Sequence, residues 1–261
     1  MVEAEGRRDG SRVFTALGLV ALFVLAGLLI HQIRTREDPF IRQGDDFLSR
    51  GQYQQAIESY SQAIERDPEN AVVYAKRGFA YDSLGSYYQA VADYTRALEL
   101  DPHLAIVYNN RGFAYYNLGM YQRARLDYDK AIELDPQYAI AYNNRAVVNN
   151  ALKEYEAALA DAEKAIEFDP SLIDAYGNRA AAHAGLGEYE EAIEDYTKVI
   201  ESRPDFALAY LKRGELYRRV EEKRKAIEDF KAVIEYAGDK DDFIKQVAQR
   251  QLEELEAEPG D

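Results

Sequence analysis

The chain has 261 residues, of which 47% are hydrophobic and 30% are charged, a composition that is ordinary for a soluble fold. It contains no cysteine, so disulfides, thiolate metal sites and cysteine nucleophiles are excluded. Its formal net charge of −15 argues against a nucleic-acid partner, because non-specific binding of nucleic acid needs a basic surface.

The amino-terminal region contains a long apolar run from Val13 to Ile30, in which Thr15 is the one clearly polar side chain. As a helix the run would span about 27 Å, close to the thickness of the hydrocarbon core of a bilayer. We predict that 1–12 is a tail, that 13–30 is an uncleaved transmembrane signal anchor, and that 31–36 is a linker. A cleaved signal peptide and a buried soluble helix are the alternatives, although a signal peptide usually has an apolar core of only about 7–15 residues.

Basic residues flank this apolar run on both sides. Arg7, Arg8 and Arg12 precede it, and Arg34 and Arg36 follow it. The slight excess on the leading side favours a cytoplasmic amino terminus under the positive-inside rule. We therefore expect a single-pass membrane protein whose body lies on the non-cytoplasmic side.

The remainder of the chain repeats itself every 34 residues, and its prolines show the register most clearly. These prolines are Pro68, Pro102, Pro136, Pro170 and Pro204. Counting from them predicts six repeats, the last of which has Gly238 in place of proline. The repeats are 37–70, 71–104, 105–138, 139–172, 173–206 and 207–240.

Each repeat contains the patterns of two helices. In the second repeat Tyr74, Gly78 and Tyr81 lie at i, i+4 and i+7, which places them on one helix face. Gly85 is a stop signal between the helices, and Pro102 closes the second helix because proline cannot continue one. One such hairpin is too small to bury its apolar face, so stacked copies are needed to form a core.

The pattern resembles the tetratricopeptide repeat (TPR) family. The resemblance rests on aromatic and small residues at unit positions 4, 8, 11, 20, 24 and 27 and on proline at position 32. In the third repeat these residues are Tyr108, Gly112, Tyr115, Ala124, Tyr128, Ala131 and Pro136. The resemblance implies an all-α, right-handed superhelical solenoid in which the first helix of every hairpin lines a concave groove. It also implies that segments of partner proteins bind in that groove.

The fourth and sixth repeats depart from the pattern. In the fourth, Asn149 and Ala162 replace two aromatic residues and Lys153 replaces the turn glycine. In the sixth, Glu221 stands at the same turn position. The loss of two rings predicts looser packing in the fourth repeat.

The segment 241–256 follows the repeats and has the pattern of an amphipathic helix. Phe243, Val247 and Leu252 are expected to point inward. Because terminal units of a solenoid need a polar outer face, we predict that this helix is a cap. The last residues, 257–261, are expected to fray.

Opposite charges recur at unit positions 7 and 23. The arginines are Arg77, Arg111, Arg145, Arg179 and Arg213, and the aspartates are Asp93, Asp127, Asp161, Asp195 and Asp229. The first repeat has Gln43 and Ser59 at these positions and so lacks both charges. We infer an ion pair between the two helices of each later hairpin, and two independent surface charges are the alternative.

The sequence contains no recognisable catalytic or metal-binding constellation. His31, His103 and His183 lie far apart, and no H-E-x-x-H, G-x-G-x-x-G or Walker-type motif is present. Acidic residues recur at the end of every hairpin, which favours solvated helix ends over catalytic carboxylate pairs. We therefore expect a protein that is not an enzyme and has no metal, no cofactor and no evident small-molecule substrate.

By analogy with the family, unit positions 2, 5, 6, 9, 12 and 13 line the groove. In the middle repeats these positions include Asn109, Asn110, Phe113, Tyr116, Asn117, Asn143, Asn144, Asn150 and Asn178. Because asparagine offers both a donor and an acceptor, the row predicts a surface that binds the backbone of a peptide segment. Exposed asparagines without a role are the alternative. In the sixth repeat Lys212, Arg218 and Arg219 should face the groove and receive an acidic side chain or a carboxyl terminus.

Together these features predict a membrane-anchored interaction scaffold that binds a peptide segment of a partner protein. A structural or self-assembling repeat protein with an empty groove is the alternative. The partner itself is not identified by the repeats, because one repeat fold serves many functions.

Overall fold

The computed structural model describes residues 38–238 and 241–257, and the regular structure in these residues is entirely α-helical. The helices are α1 Pro39–Ser49, α2 Tyr53–Arg66, α3 Ala71–Ser83, α4 Tyr87–Leu100, α5 Ala105–Asn117, α6 Tyr121–Leu134, α7 Ala139–Leu152, α8 Tyr155–Phe168, α9 Ile173–Leu186, α10 Tyr189–Ser202, α11 Ala207–Arg219, α12 Lys223–Tyr236 and α13 Asp242–Ala257. The predicted all-α helical-repeat fold is thereby confirmed.

The predicted tail 1–12, transmembrane segment 13–30 and linker 31–36 lie outside the described residues. Residues 258–261 of the predicted frayed tail lie outside them as well. Among the helices of 38–238 and 241–257, none combines the length and the apolar character needed to cross a bilayer.

The helices form two compact units. Unit 1 ends at Asn144 and unit 2 begins at Arg145, so the division falls inside α7. Within each unit, helices that follow one another in the chain pack against one another as stacked hairpins. The right-handed superhelical course of the whole solenoid remains a prediction.

The two helices of a hairpin approach closely where a glycine of the first faces an aromatic ring of the second. A Cβ atom added to Gly78 would lie 2.9 Å from the ring of Tyr94, and one added to Gly112 would lie 2.8 Å from the ring of Tyr128. Tyr94 is fully buried by this contact. A larger residue at either glycine would therefore force the facing ring to shift.

A bidentate ion pair joins the same two helices. The Arg111 guanidinium donates from Nε and Nη2 to the Asp127 carboxylate at 2.8 and 2.7 Å, and its Nη1 donates to Thr95 Oγ1 of the preceding repeat at 3.1 Å. The same fork joins Arg77 to Asp93, Arg145 to Asp161, Arg179 to Asp195 and Arg213 to Asp229. The predicted pairs are confirmed, and the third bond to a neighbouring repeat is an addition that the sequence pattern did not reveal.

Burial and pairing act against each other on these charges. Burial raises the pKa of Asp127, and the hydrogen bonds and charge of Arg111 offset only part of this rise, so the pKa stays above its ordinary value. Burial lowers the pKa of Arg111, but the hydrogen bonds and the charge of Asp127, together with the nearby tyrosines, outweigh that effect and leave the pKa above its ordinary value. Both groups are held in place by each other, since either one alone would be a buried, unpaired charge.

The turns between the paired helices require a left-handed residue at unit position 15. Gly119 has a φ of 74° there, and glycine adopts this conformation without steric cost. Lys153 and Glu221 occupy the same position with φ values of 62°. Both carry a Cβ atom, so both turns are strained relative to the glycine turns.

The carboxy-terminal helix α13 packs mainly on α12. Ala248 and Leu255 are its buried residues, whereas Phe243 is 55% exposed. The expectation that Phe243 points inward was therefore wrong. The inward stripe runs through Ile244 instead, which lies four residues before Ala248 on the same helix face.

The ion pair should couple energetically in a double-mutant cycle on Arg111→Ala and Asp127→Ala. Because the two side chains are only 17% and 8% exposed, we expect a coupling of about 1–3 kcal/mol in urea unfolding. The exposed pair of Arg96 and Glu99, at 46% and 58%, is the control and should couple by less than about 0.5 kcal/mol. Equal coupling for the two pairs would contradict a structural role for the fork.

Replacing Lys153 with glycine should stabilise unit 2. The change relieves the left-handed strain at the cost of some chain entropy, and we expect a gain of about 1 kcal/mol in the free energy of unfolding. Hydrogen exchange in α7 and α8 is the measurement, since it reports local stability. The reverse change, Gly119→Lys, is the control in unit 1, and it should speed exchange in α5 and α6. Unchanged exchange in both variants would show that the turns are not strained.

Candidate peptide-binding surface

A cleft with a volume of about 780 Å³ opens in unit 2 between the first helices of the last two repeats and the capping helix. Its lining comes from α9, α10, α11 and α13. The lining residues are Ala181, Ala184, Tyr189, Tyr196, Lys212, Glu215, Leu216, Arg218, Arg219 and Gln251. The three basic residues predicted for the groove in the sixth repeat are therefore brought to one open surface.

The floor of the cleft is apolar and small. Ala181 and Ala184 lie on one turn of α9, and their short side chains leave room beside the rings of Tyr189 and Tyr196. Tyr196 is only 4% exposed, and its burial raises the pKa of its hydroxyl well above the ordinary value. The hydroxyl therefore stays protonated at neutral pH, so the floor carries no negative charge from this ring.

The rim of the cleft carries three cations, which differ in their partners. Lys212 Nζ donates to Glu215 Oε2 at 3.0 Å, one turn along α11. Arg218 donates to Gln251 of the capping helix and to Glu254 at 3.2 Å. Arg219 is exposed and has no ion-pair partner within 38–238 and 241–257. Arg219 is thus the rim cation most available to a bound anion.

Glu254 belongs to the same network, although it does not line the cleft. Hydrogen bonds from Arg250 and then from Arg218 lower the pKa of Glu254, so this carboxylate stays ionised at neutral pH. Because Glu254 and Gln251 both hold Arg218, the capping helix fixes the direction of that guanidinium at the edge of the cleft.

The asparagines predicted as a ladder in unit 1 bond to one another. Asn144 Nδ2 donates to Asn109 Oδ1 at 2.9 Å, and Asn109 Nδ2 donates to Asn110 Oδ1 at 3.3 Å. Asn109 is 2% exposed and Asn110 is 7% exposed. A bound segment would have to displace these bonds, so the row contributes first to packing between neighbouring repeats. Its role in ligand binding stays a prediction.

The other predicted groove residues of α5 also make contacts with residues of this protein itself. Asn117 Nδ2 donates to the carbonyl oxygen of Phe113 at 2.9 Å, one turn earlier on the same helix. The ring of Tyr116 packs on that of Tyr121, with 5.6 Å between their centroids. Phe113, Tyr116 and Asn117 are half-buried, so parts of each remain on the surface of unit 1.

The remaining asparagines lie close to the boundary between the units or within unit 2. Asn143 is buried in unit 1. In unit 2, Asn150 Nδ2 donates to the backbone oxygen of Asn178 at 2.9 Å, and Asn178 is itself buried. Asn150 and Asn178 thus link the first helices of the fourth and fifth repeats, and of the three asparagines only Asn150 keeps a half-exposed side chain.

The described part of the chain contains no candidate metal-binding site. No group of three or more His, Asp and Glu side chains there is placed to hold a metal ion. His183 is 15% exposed, and its Nδ1 lies 2.6 Å from Glu188 Oε2. A local pair across the α9–α10 turn accounts for this histidine.

Three residues that line the cleft were not predicted from the sequence, because they do not lie at the groove positions of the repeat. Gln251 lines the cleft from the capping helix, which lies outside the repeat register. Tyr189 and Tyr196 reach it from α10, the second helix of its hairpin. Asp82, by contrast, stands at groove position 12, but in the second repeat, whereas the predicted residues belong to the third to sixth repeats.

Family models match most of the chain. The model described as TPR repeat matches 44–85 and 83–119. A second model, described as Tetratricopeptide repeat, matches 105–138, 139–172 and 173–206. A third, with the same description, matches 207–240. The chain therefore belongs to the tetratricopeptide repeat family, whose members are interaction scaffolds that generally lack enzymatic activity.

Several solved structures resemble this chain. A solved structure of MamA from Desulfovibrio magneticus, described as residue 41 to the end, is 25% identical, with 64% of this chain and 94% of that chain covered and a TM-score of 0.59. A crystal structure of YrrB, described as a TPR protein with an unusual peptide-binding site, is 26% identical. The match covers 74% of this chain and 99% of YrrB, with a TM-score of 0.59. PilF from Pseudomonas aeruginosa is 22% identical, and the match covers 84% of this chain and 96% of PilF. Its TM-score of 0.70 shows that the two proteins share the fold. No curated protein matches the chain.

Proposed function

We propose that this protein is a scaffold that binds a peptide segment of a partner protein, and that the cleft of unit 2 is a principal contact site. The observation that carries the proposal is the convergence of Lys212, Arg218 and Arg219 on one open cleft with an apolar floor. The scaffold acts without chemistry of its own, and its function is to hold the partner.

The charge of the cleft favours an acidic segment. Three cations line it against one carboxylate, Glu215, although the whole chain carries a formal net charge of −15. A guanidinium binds a carboxylate through two parallel hydrogen bonds, and Arg219 has no ion-pair partner among the described residues that would compete for it. The alanines and tyrosines of the floor suit the apolar part of the same segment.

The likeness to YrrB supports binding of a peptide rather than of a small molecule. YrrB is described as having a peptide-binding site, and it aligns with 74% of this chain. A cleft that is open along one side accepts a chain that continues beyond it, whereas a small molecule is usually enclosed.

We further propose that 13–30 anchors the protein in a membrane, with the repeats on the non-cytoplasmic side. The support is the apolar run itself and the basic residues before it. An anchor would confine the scaffold to partners that reach the same membrane surface.

Binding of acidic segments can be measured with mixtures of synthetic nonapeptides that carry one fixed residue at the centre and random residues elsewhere. Full-length protein should retain the mixture with central glutamate roughly tenfold better than the mixture with central glutamine. The double variant Lys212→Gln, Arg219→Gln should lose that preference, because the cations that pair with the carboxylate are gone.

The matched control is Arg224→Gln, which removes an exposed arginine from α12 and leaves the cleft intact. This control should retain the preference for glutamate. Wild-type protein that shows no preference, together with oligomers that grow with concentration, would overturn the proposal in favour of a self-assembling repeat protein. Sedimentation velocity measures the oligomers.

The membrane orientation can be tested by protease treatment of intact cells or spheroplasts. The repeats should be digested without lysis if they lie on the non-cytoplasmic side, since the protease reaches them there. Digestion that requires lysis would place them in the cytoplasm, and recovery of the whole protein in a soluble fraction would remove the anchor from the proposal.

A further inference from the structure

Asp82 is a buried carboxylate without a partner. It lies near the end of α3 in unit 1 and is 9% exposed. Its Oδ1 atom makes no hydrogen bond to any described residue. A buried acceptor that is left unpaired costs free energy, so its presence calls for a reason beyond folding.

The hydroxyl of Tyr94 beside it is unpaired as well. Tyr94 is fully buried, and its hydroxyl has no hydrogen-bond partner in the described part of the chain. In the first repeat the equivalent ring, Tyr60, donates to Asp45 Oδ1 at 2.7 Å. The second repeat has Phe79 where the first has Asp45, so that acceptor is missing. Two unpaired polar groups therefore lie in one region of unit 1.

The repeat register places Asp82 on the binding side of its hairpin. Ala184 and Arg218 occupy the same unit position in the fifth and sixth repeats, and both line the cleft of unit 2. Asp82 thus stands on the face of its own unit that corresponds to the open face of unit 2. Its counterpart in the third repeat, Tyr116, is half-buried on the same side.

The two cations on the same helix as Asp82, Lys76 and Arg77, are bonded to other carboxylates. Lys76 Nζ bonds to both oxygens of Asp45 at 2.8 and 2.7 Å. Arg77 bonds to Asp93 in the bidentate fork at 2.7 Å. The groups that interact electrostatically with Asp82 are the hydroxyls of Tyr94 and Tyr128, which are neutral at ordinary pH and whose pKa values are raised by burial first and by Asp82 in addition.

Burial without a partner also changes the acidity of the group. Desolvation raises the pKa of Asp82 to about 7, far above its value in an unfolded chain. The folded state then holds its proton more tightly than the unfolded state does. The carboxylate therefore lowers stability as pH rises from the unfolded pKa towards 7, and the penalty is complete above that value.

We propose that Asp82 forms a second subsite, on unit 1, which binds a lysine or arginine side chain of a partner polypeptide. The inference rests on the proposed function, because it takes peptide binding by the scaffold as given. An incoming ammonium or guanidinium group would donate to Asp82 and supply the partner that its Oδ1 lacks among the described residues. The subsite is opposite in charge to the cleft of unit 2, so each unit selects its own class of side chain.

The same nonapeptide mixtures test the proposal, with lysine, arginine or glutamine fixed at the centre. Full-length wild-type protein should retain the lysine and arginine mixtures roughly tenfold better than the glutamine mixture. Asp82→Asn should lose that preference while keeping the preference for glutamate that belongs to the cleft. The measurements are made at about 150 mM salt, so that the general attraction of an acidic protein for basic peptides is screened.

Glu65→Gln is the matched control, since it removes one exposed negative charge from the same unit. This control should retain the preference for basic residues. Urea unfolding shows that Asp82→Asn remains folded: its midpoint should exceed that of wild type at pH 8, and the difference should shrink towards pH 5. Persistence of the basic preference in Asp82→Asn, or its absence in wild type, overturns the subsite. Loss of the glutamate preference in the Lys212→Gln, Arg219→Gln variant concerns the cleft alone, so the two proposals fail separately.

Discussion

The close contact between a small residue at unit position 8 and the side chain at position 24 is the constraint on which each hairpin depends. Where Gly78, Gly112 or Gly214 faces the ring at position 24, a Cβ atom on the glycine would come within 3 Å of that ring. The fourth repeat has no ring at this position, and alanines occupy both sites of the contact. In the fifth repeat Ala180 takes the glycine's position and packs in one core cluster with the ring of Tyr196, so the contact accepts a methyl group there. At Gly78, Gly112 and Gly214 the ring lies so close that an added methyl group would force it to shift.

The bidentate arginine–aspartate pair fixes the relative orientation of the two helices that meet at that contact. Van der Waals packing of small residues tolerates small shifts, whereas a bidentate pair holds two helices in one relative position. The third bond, from Arg111 to Thr95, ties the hairpin to the repeat before it. A network that joins three helices fixes the register of stacking, and a fixed register is what brings residues 34 apart in sequence onto one face. The cleft of unit 2 depends on that alignment.

Charge is distributed unevenly over these faces, and this unevenness gives the proposed specificity. Unit 2 presents Arg219 with no ion-pair partner among the described residues, and unit 1 holds Asp82 with its Oδ1 unpaired there. Both stand at or next to unit position 12, where the six repeats carry the dissimilar residues Leu48, Asp82, Tyr116, Asn150, Ala184 and Arg218. A scaffold of this kind can change partners by changing such positions while its glycines, rings and forks stay the same.

The sequence by itself determined the period, the helical hairpins, the arginine–aspartate pairs and the basic character of the last repeat, because each follows from spacing along one or two helices. It did not determine that Asn109 and Asn144 would bond to each other, or that Phe243 would face solvent. Nor did it show that Gln251 would complete the cleft. Those outcomes depend on how far one helix is rotated against its neighbour, which is decided by packing in three dimensions. The same is true of Asp82, because only the tertiary structure shows that it is buried and that its Oδ1 has no hydrogen-bond partner among the described residues.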